Sequence, residues 1–369
     1  MPQIIQGLSI NDAEGQDKLT DTQKITAGYF TGGGGQLNAA DIHSGSLADS
    51  NEAYYFNITQ THPESSSAET QFSVAYGHIG GSGSQTDGGN VEGPTEAIYK
   101  QWTNILLAEN EVTGGFKISQ QGSSGALSSG TRDEDVFILV GKRARFKDRI
   151  NKKNWTIVLS GSDSVGTGSE LFYFTDDSNT TQATSTVAGP RYNIVSGSDG
   201  SPYSASGWKT YGHFYPDQGA LVFSAAELSA SIAGHADGIN ESASFDGTNF
   251  AGFSVNSDSN GNPNNALRFI NTLQPTGAYL KFRSEEDKTS VSYFCRVKAS
   301  QVNFSNNPTF VSGSLNELRI KEMRGNPTVY ATGIQLYNNF GDVVAVGKLS
   351  TPVKKNFGSE VTIKVKLDF

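Results

Sequence analysis

The hydrophobic pattern is clearest at the end of the chain, where apolar and polar residues alternate from Val361 to Phe369. A period of two residues places alternate side chains on opposite faces, which is typical of a strand with one buried face. The pattern therefore predicts a closing strand that is tied into a sheet through its last residue, Phe369.

Shorter β patterns recur along the chain, separated by stretches rich in Gly, Ser and Asn. They are rich in aromatic and β-branched residues, which favour strands. They predict strands at 54–60, 70–78, 116–119, 136–140, 155–160, 171–174, 191–195, 211–223 (a hairpin), 278–282, 290–297, 328–337, 343–349 and 361–369. Residues 338–342 are predicted to form a hairpin loop between two of these strands, with Gly341 at a positive φ. The run at 136–140 fits either a buried strand or the core of a helix, because it is apolar throughout.

Helical spacing occurs in three segments, 95–109, 225–233 and 266–273. The first is the clearest, because apolar residues recur there every three or four positions after Pro94, and proline is favoured at a helix start. Its apolar positions are Ile98, Trp102, Ile105 and Leu106. The third segment is followed by Pro275, which is expected to end it.

Together these elements predict a mainly β protein with a few short helices. The strands are expected to form antiparallel sheets in sandwich-like domains, joined by long Gly/Ser/Asn-rich loops. We expect an extended N-terminal arm over 1–50, a β-rich middle region over 51–275 and a compact antiparallel β domain over 276–369.

Composition supports this fold class. Hydrophobic residues make up 36% of the chain and charged residues 18%, while 42 Gly, 21 Phe and 14 Tyr are present. Few aliphatic residues, many aromatic residues and many turn formers describe a β protein with long loops better than a helical one.

The net charge of -9 and the pI near 5.1 disfavour a broad nucleic-acid-binding role, which needs a basic surface. A basic cluster nevertheless spans Lys142 to Arg149 and continues at Lys152 and Lys153. It fits the solvated face of a helix, or a patch that docks an acidic neighbouring subunit, better than it fits a nucleic-acid site.

Cys295 is the only cysteine, so an intrachain disulfide is impossible, and its apolar neighbours predict a buried, unreactive thiol. The N-terminal residues lack the basic and apolar regions of a secretory signal. No run approaches 18 apolar residues, so no membrane span is expected.

Several patterns imitate functional motifs without completing them. The glycine clusters at 32–35 and 80–83 lack the Lys of a phosphate-binding loop. Asn256 to Gly261 imitates half of a calcium loop, but its twelfth position is Leu267 rather than an acidic residue.

The remaining candidates for catalysis and metal binding are equally incomplete. The five histidines lack metal-ligand spacing, and neither 80–84 nor 196–200 completes Gly-x-Ser-x-Gly. We therefore assign no catalytic, cofactor-binding or metal-binding residue and no cofactor, and we do not expect an enzyme.

A family resemblance appears over several stretches, densest after residue 265 and covering about 50–369. The stretches that carry it are Phe146–Trp155, Tyr211–Gly219, Phe294–Lys298, Asn303–Phe310, Val329–Asn338, Val344–Ser350, Pro352–Lys355 and Lys364–Phe369. Together they resemble a family of virion structural proteins from large contractile-tailed phages, including T-even-like phages of cyanobacteria and other marine bacteria.

The resemblance implies a non-enzymatic virion protein that is assembled in the bacterial cytoplasm, most closely a wedge-type subunit of the tail baseplate. Its expected partners are other wedge, hub, sheath or fibre-attachment subunits within a symmetric homo- or hetero-oligomer, with neither nucleic acid nor membrane. Two alternatives remain open: a neck, collar or head-surface protein, and a receptor- or carbohydrate-binding adhesin of the tail.

Overall fold

A computed structural model describes most of the strands and their connections. The described residues are 18–29, 31, 35–46, 55–62, 65–81, 94–118, 132–162, 169–203, 209–231, 266, 269–270, 272–303, 308–312 and 317–368. They divide into two compact units, which we call the main unit (Ile25–Glu286) and the C-terminal unit (Met1–Lys24 with Asp287–Phe369).

The strands are β1 (Lys18–Tyr29), β2 (Leu37–Asn38), β3 (His43–Ser46), β4 (Tyr55–Thr59), β5 (Thr70–His78), β6 (Asp135–Gly141), β7 (Arg149–Ser162), β8 (Ser169–Asp176), β9 (Thr184–Thr186), β10 (Gly189–Ser198), β11 (Ser201–Pro202), β12 (Thr210–Tyr215), β13 (Ala220–Ser224), β14 (Tyr279–Val297), β15 (Val311–Ser312), β16 (Glu317–Leu318), β17 (Val329–Tyr337), β18 (Val343–Lys355) and β19 (Val361–Asp368). The helices are α1 (Pro94–Leu106), α2 (Glu109–Val112) and α3 (Ala225–Ser231). Short 3-10 turns occupy Ala39–Asp41, Arg143–Arg145, Pro308–Phe310 and Lys321–Met323.

The main unit is built on one large antiparallel sheet; the sequence predicted antiparallel pairing, but in sandwich-like sheets. Its strands follow the order β14-β7-β8-β10-β12-β13-β6-β5-β4-β3. Only the first half of β14, which pairs with β7, lies in this unit. The fold class is therefore mainly β, with a few short helices.

Aromatic packing brings the two ends of this strand order together. Trp155 on β7 stacks on Phe282 of β14, with ring centroids 5.4 Å apart. Phe282 also lies 4.9 Å from Phe72 on β5, although β5 is distant from β14 in the sheet order. The sheet therefore curls over its own inner face and buries the larger of two apolar clusters.

The outer face of the central strands is covered by α1. Val136, Ile138 and Val222 on this face pack in a second cluster with Tyr99 and Leu106 from the helix. The apolar run at 136–140 is thus a strand that is buried on both faces, which explains why it lacks alternation. The helix begins at Pro94, as predicted, and ends at Leu106.

One predicted strand is wrong. Residues 116–118 of the predicted strand 116–119 form no ladder, and Ser119 lies outside the described residues. The Tyr99 hydroxyl accepts a hydrogen bond from the Phe116 N–H at 3.0 Å, and Asp133 Oδ2 accepts one from the Ile118 N–H at 2.5 Å. Side chains thus accept the hydrogen bonds from backbone N–H groups that, in a strand, would pair with carbonyls of a neighbouring strand.

The helix considered for the basic cluster is also absent. Arg143–Arg145 form a 3-10 turn, Phe146 is buried, and Arg149 begins β7.

The predicted strands 278–282 and 290–297 are one continuous strand, β14. The charged residues between them do not interrupt the strand, because Glu285 is buried and its carboxylate accepts a hydrogen bond from the Arg149 guanidinium at 2.8 Å.

The remaining predictions fall partly outside the described residues. α3 extends to Ser231, so 232–233 of the predicted 225–233 helix are not described. In the predicted 266–273 helix, residues 266, 269 and 270 are helical, whereas 272 and 273 form a turn. In the predicted arm over 1–50, β1, β2 and β3 are described and 1–17 are not.

The C-terminal unit contains the second half of β14, paired with β19, and the hairpin β17–β18. The predicted turn at 338–342 is confirmed, with Gly341 at a φ of 87°. Burial alternates along β19 as predicted, although its apolar side chains are half-buried and Phe369 lies outside the described residues. The boundary between the units falls after Glu286.

The helix α1, which covers the sheet of the main unit, makes a close contact with Gly115 that can be tested. Gly115 has a φ of 65°, and a Cβ there would lie 2.5 Å from the Tyr99 hydroxyl. We expect Gly115→Ala to lower the free energy of unfolding by about 2–4 kcal/mol, through backbone strain plus this collision.

A double-mutant cycle with Tyr99→Phe separates the two causes. Without the hydroxyl, Gly115→Ala should cost at least about 1 kcal/mol less, because only the backbone strain remains. Urea unfolding of the four proteins measures this difference. Strictly additive losses would contradict the contact.

Candidate functional site

The C-terminal unit has almost no apolar core of its own. Among the described residues, Val291 is its only fully buried apolar side chain, whereas the main unit holds all the others. More than half of the exposed large apolar side chains in the described part of the chain belong to this unit: Leu19, Val302, Ile320, Tyr330, Tyr337, Phe340, Val343, Val344, Val346 and Phe357.

The apolar exposure is concentrated at the closed end of the β17–β18 hairpin. Tyr337 pairs with Val343, and Val346 follows on the same face with 67% of its surface exposed. On the opposite face Leu336 pairs with Ala345, and both are half-buried. The strands are therefore apolar on both faces, a pattern that belongs in the interior of a protein.

The turn that closes the hairpin is ordered and presents an aromatic ring. Asn338 Oδ1 accepts hydrogen bonds from the Phe340 N–H at 2.9 Å and from the Asp342 N–H at 2.8 Å. The Phe340 ring is 91% exposed. We call the exposed side chains of Tyr337, Phe340, Val343, Val344 and Val346 the hairpin patch.

The open end of the hairpin is anchored by a buried cation. Lys355 Nζ donates hydrogen bonds to Asn303 Oδ1 at 2.8 Å, to the Ala299 carbonyl at 2.9 Å and to the Asn356 carbonyl at 2.7 Å. All three ammonium hydrogens are thus satisfied, as a buried lysine requires. The hairpin consequently has a fixed base and an apolar free end.

A two-stranded ribbon of this kind is marginally stable in water on its own. Within the described structure β17 and β18 pair only with each other, so each offers one open edge to another strand. Contiguous exposed apolar surface usually marks a protein interface. The hairpin patch therefore has the properties of an assembly surface.

A second candidate site is a groove of about 650 Å³ between α1 and the sheet of the main unit. Trp102 and Tyr55 contribute aromatic rings to its wall, and Asn57, Gln101 and Gln218 contribute amides. Asn57 Oδ1 accepts a hydrogen bond from the Ser73 hydroxyl at 2.7 Å. Aromatic rings beside amides suit a polyhydroxylated ligand, which offers apolar faces and many hydroxyls.

The basic cluster is partly neutralised within the chain. Arg149 forms ion pairs with Asp217 at 3.0 Å and with Glu285 at 2.8 Å. Arg145 pairs with Glu69. Because Arg145 and Arg149 already have carboxylate partners inside the main unit, these two charges give little support to docking of an acidic neighbour.

The other sequence candidates are dispersed. His78 and His213 lie on β5 and β12, and the part of the chain that the structure describes holds no group of three or more His, Cys, Asp or Glu placed to bind a metal ion. Cys295 is half-buried rather than buried, and pairs with Ile363. The calcium-like run 256–261, His235, and residues 32–34 and 82–83 of the glycine clusters lie outside the described residues.

The sequence contains a partial signal for the hairpin patch. Its run of apolar residues at 343–346 breaks strict alternation, so apolar side chains fall on both faces of the strand. From the sequence alone these residues are assigned to a compact domain. Only the folded structure shows that few of their side chains are covered.

Comparison with protein-family models, curated proteins and solved structures finds no match to this chain. In the described part of the chain no helix has the length and apolar character needed to cross a membrane. By its structure the chain is a mainly β protein that combines a well-packed main unit with a core-poor, apolar C-terminal unit.

A buried carboxyl in the main unit generates a pH-dependent prediction. Burial raises the pKa of Asp135, beside the Tyr76 hydroxyl, from 3.8 to about 6. Between about pH 4 and pH 6 the folded state therefore holds a proton that the unfolded state has released, so stability falls as pH rises.

We expect deprotonation of Asp135 to lower the free energy of unfolding by roughly 2–3 kcal/mol as pH rises through this window. Asp135→Asn should abolish this part of the dependence of stability on pH. Urea unfolding at pH 4 and pH 7 measures the difference between the two proteins. Glu109→Gln, at an exposed position of α2, serves as the control. A variant slope equal to that of the natural protein would contradict the prediction.

Proposed function

We propose that this protein is a non-enzymatic structural subunit of a contractile-tailed phage virion, and specifically a wedge-type subunit of the tail baseplate. The observation that carries the structural role is the C-terminal unit, which leaves many of its apolar side chains exposed and, among its described residues, buries only one. The place in the virion is supported by the sequence resemblance, which is densest in this same unit.

The energetics favour a partner on the hairpin patch. Fully burying one Val or Phe side chain contributes roughly 1.5–3 kcal/mol, so the four such side chains of the patch offer several kcal/mol even after the entropic cost of association. The surface contributes little to a free chain but becomes stabilising in a large assembly, where its neighbours are held at high local concentration.

Two exposed valines, one inside the hairpin patch and one outside it, provide a matched test. Val346→Glu places a charge within the patch, while Val187→Glu changes a valine of the main unit that is 80% exposed. In phage carrying each variant, we expect Val346→Glu to reduce the copies of this protein in purified particles at least about tenfold, since a buried unpaired charge is costly. Val187→Glu should assemble normally.

Both variants must give folded protein by circular dichroism for this comparison to count. Normal incorporation of the Val346→Glu protein would contradict an assembly role for the patch.

Cross-linking in intact particles tests the position of the protein: links to wedge, hub or sheath proteins support the baseplate. Links to capsid protein instead would support a neck, collar or head-surface position.

The groove beside α1 favours a second candidate function, a carbohydrate-binding adhesin of the tail. Trp102 is half-exposed at the groove, whereas Ile105 on the same helix is exposed and is not part of its wall. If the protein is an adhesin, the purified chain binds host cells, and Trp102→Ala weakens binding at least about tenfold while Ile105→Ala does not. Absence of cell binding would exclude this function.

A further inference from the structure

A small cavity on the covered side of the main unit has the composition of an anion site. It has a volume of about 180 Å³ and lies between α2, the segment that follows it, and strands β10 and β12. The side chains of its wall that carry charge or hydrogen-bonding groups are Arg191, Lys117, Glu111, Asn110 and His213.

Arg191 is the central feature of this cavity. Only 6% of its surface is exposed, and no carboxylate in the described structure pairs with its guanidinium. Arg149 is less buried and by contrast has two carboxylate partners. A buried guanidinium that has no anionic partner is costly unless something in the adjoining space supplies the negative charge.

The neighbours of Arg191 do not supply that charge. The Tyr215 hydroxyl beside it is neutral, since burial raises the pKa of Tyr215 to about 12. Burial, together with the Arg191 charge, holds the pKa of His213 well below 6.5, so this imidazole is neutral at pH 7. Glu111 is the single acidic side chain of the wall, opposite the two cations Arg191 and Lys117.

The wall that carries Glu111 and Lys117 is held in place by other contacts. The Tyr99 hydroxyl donates to the Asp133 carbonyl at 2.7 Å and accepts from the Phe116 N–H at 3.0 Å. Lys117 lies over Gly114, where a Cβ would meet its Nζ at 3.4 Å. The site is thus preorganised, which reduces the entropic cost of binding.

We propose that this cavity binds inorganic phosphate. Its volume accommodates several water molecules, or one four-oxygen anion with water, and is too small for a large ligand. Arg191, Lys117 and the Asn110 amide donate hydrogen bonds to oxyanion oxygens, and a guanidinium matches two such oxygens at once.

Glu111 gives the site its selectivity. A carboxylate can only accept hydrogen bonds, so it repels an anion without protons and accepts a hydrogen bond from one that carries a proton. Inorganic phosphate keeps one or two protons at pH 7, because its second proton is released near neutrality, whereas sulfate carries no proton. The wall therefore favours phosphate over sulfate, although the two have similar size and shape.

The experiment is titration calorimetry of the full chain with sodium phosphate, sodium sulfate and methyl phosphate at pH 7 and constant ionic strength. We expect one phosphate to bind per chain and sulfate to bind at least about tenfold more weakly. Methyl phosphate distinguishes a free anion from a phosphoryl group on a larger molecule, and binding tighter than that of phosphate would overturn the assignment to the free ion.

Three variants test the residues. Arg191→Gln and Lys117→Gln should each weaken phosphate binding at least about tenfold, and Glu111→Gln should bring sulfate to within about threefold of phosphate. Lys321→Gln, in an exposed turn of the C-terminal unit, is the matched control and should bind normally.

Lys117→Gln decides the matter if Arg191→Gln does not fold, because Lys117 is only partly buried. The proposal is overturned if phosphate gives no heat of binding, or if a folded Arg191→Gln or Lys117→Gln protein binds phosphate like the natural chain. It is independent of the virion role, since loss of the hairpin patch leaves this cavity unchanged.

Discussion

Aromatic packing inside the curled sheet is the interaction on which the main unit depends. Trp155 and Phe282 stack across β7 and β14, and Phe72 joins them from β5 near the other end of the strand order. This contact closes a long antiparallel sheet over its inner face, which buries the larger apolar cluster. Because β6 and β13 are consequently central, their outer face also needs a cover, which α1 supplies through Tyr99.

The two units bury their apolar side chains to different degrees. The main unit completes its own core, and so holds a groove and a cavity with fixed walls. The C-terminal unit forms regular strand ladders and a buried lysine anchor but leaves its apolar side chains largely uncovered. Hydrogen-bonded strands without a closed core are stabilised by association, which fits a subunit that acquires its final stability within a larger structure.

The proposed phosphate site shows why sequence patterns failed to indicate chemistry here. Glu111 and Lys117 lie in and just after one short helix, whereas Arg191 and His213 lie on strands far along the chain. No motif of fixed spacing connects them, so they carry no recognisable sequence signal. The basic cluster carries a strong signal, yet two of its arginines, Arg145 and Arg149, are engaged by Glu69, Asp217 and Glu285, residues that only folding brings near.

The sequence by itself determined the fold class, most of the strands, the α1 start at Pro94 and the turn at Gly341, since these follow from periodicity and backbone preference over a few neighbouring residues. Tertiary structure decided what local pattern cannot contain. It joined two predicted strands into β14 by burying Glu285 against Arg149, and it replaced the strand at 116–118 with side-chain hydrogen bonds from Tyr99 and Asp133. It also left the alternating C-terminal strands half-covered, because alternation fixes which face is apolar but not whether anything lies against that face.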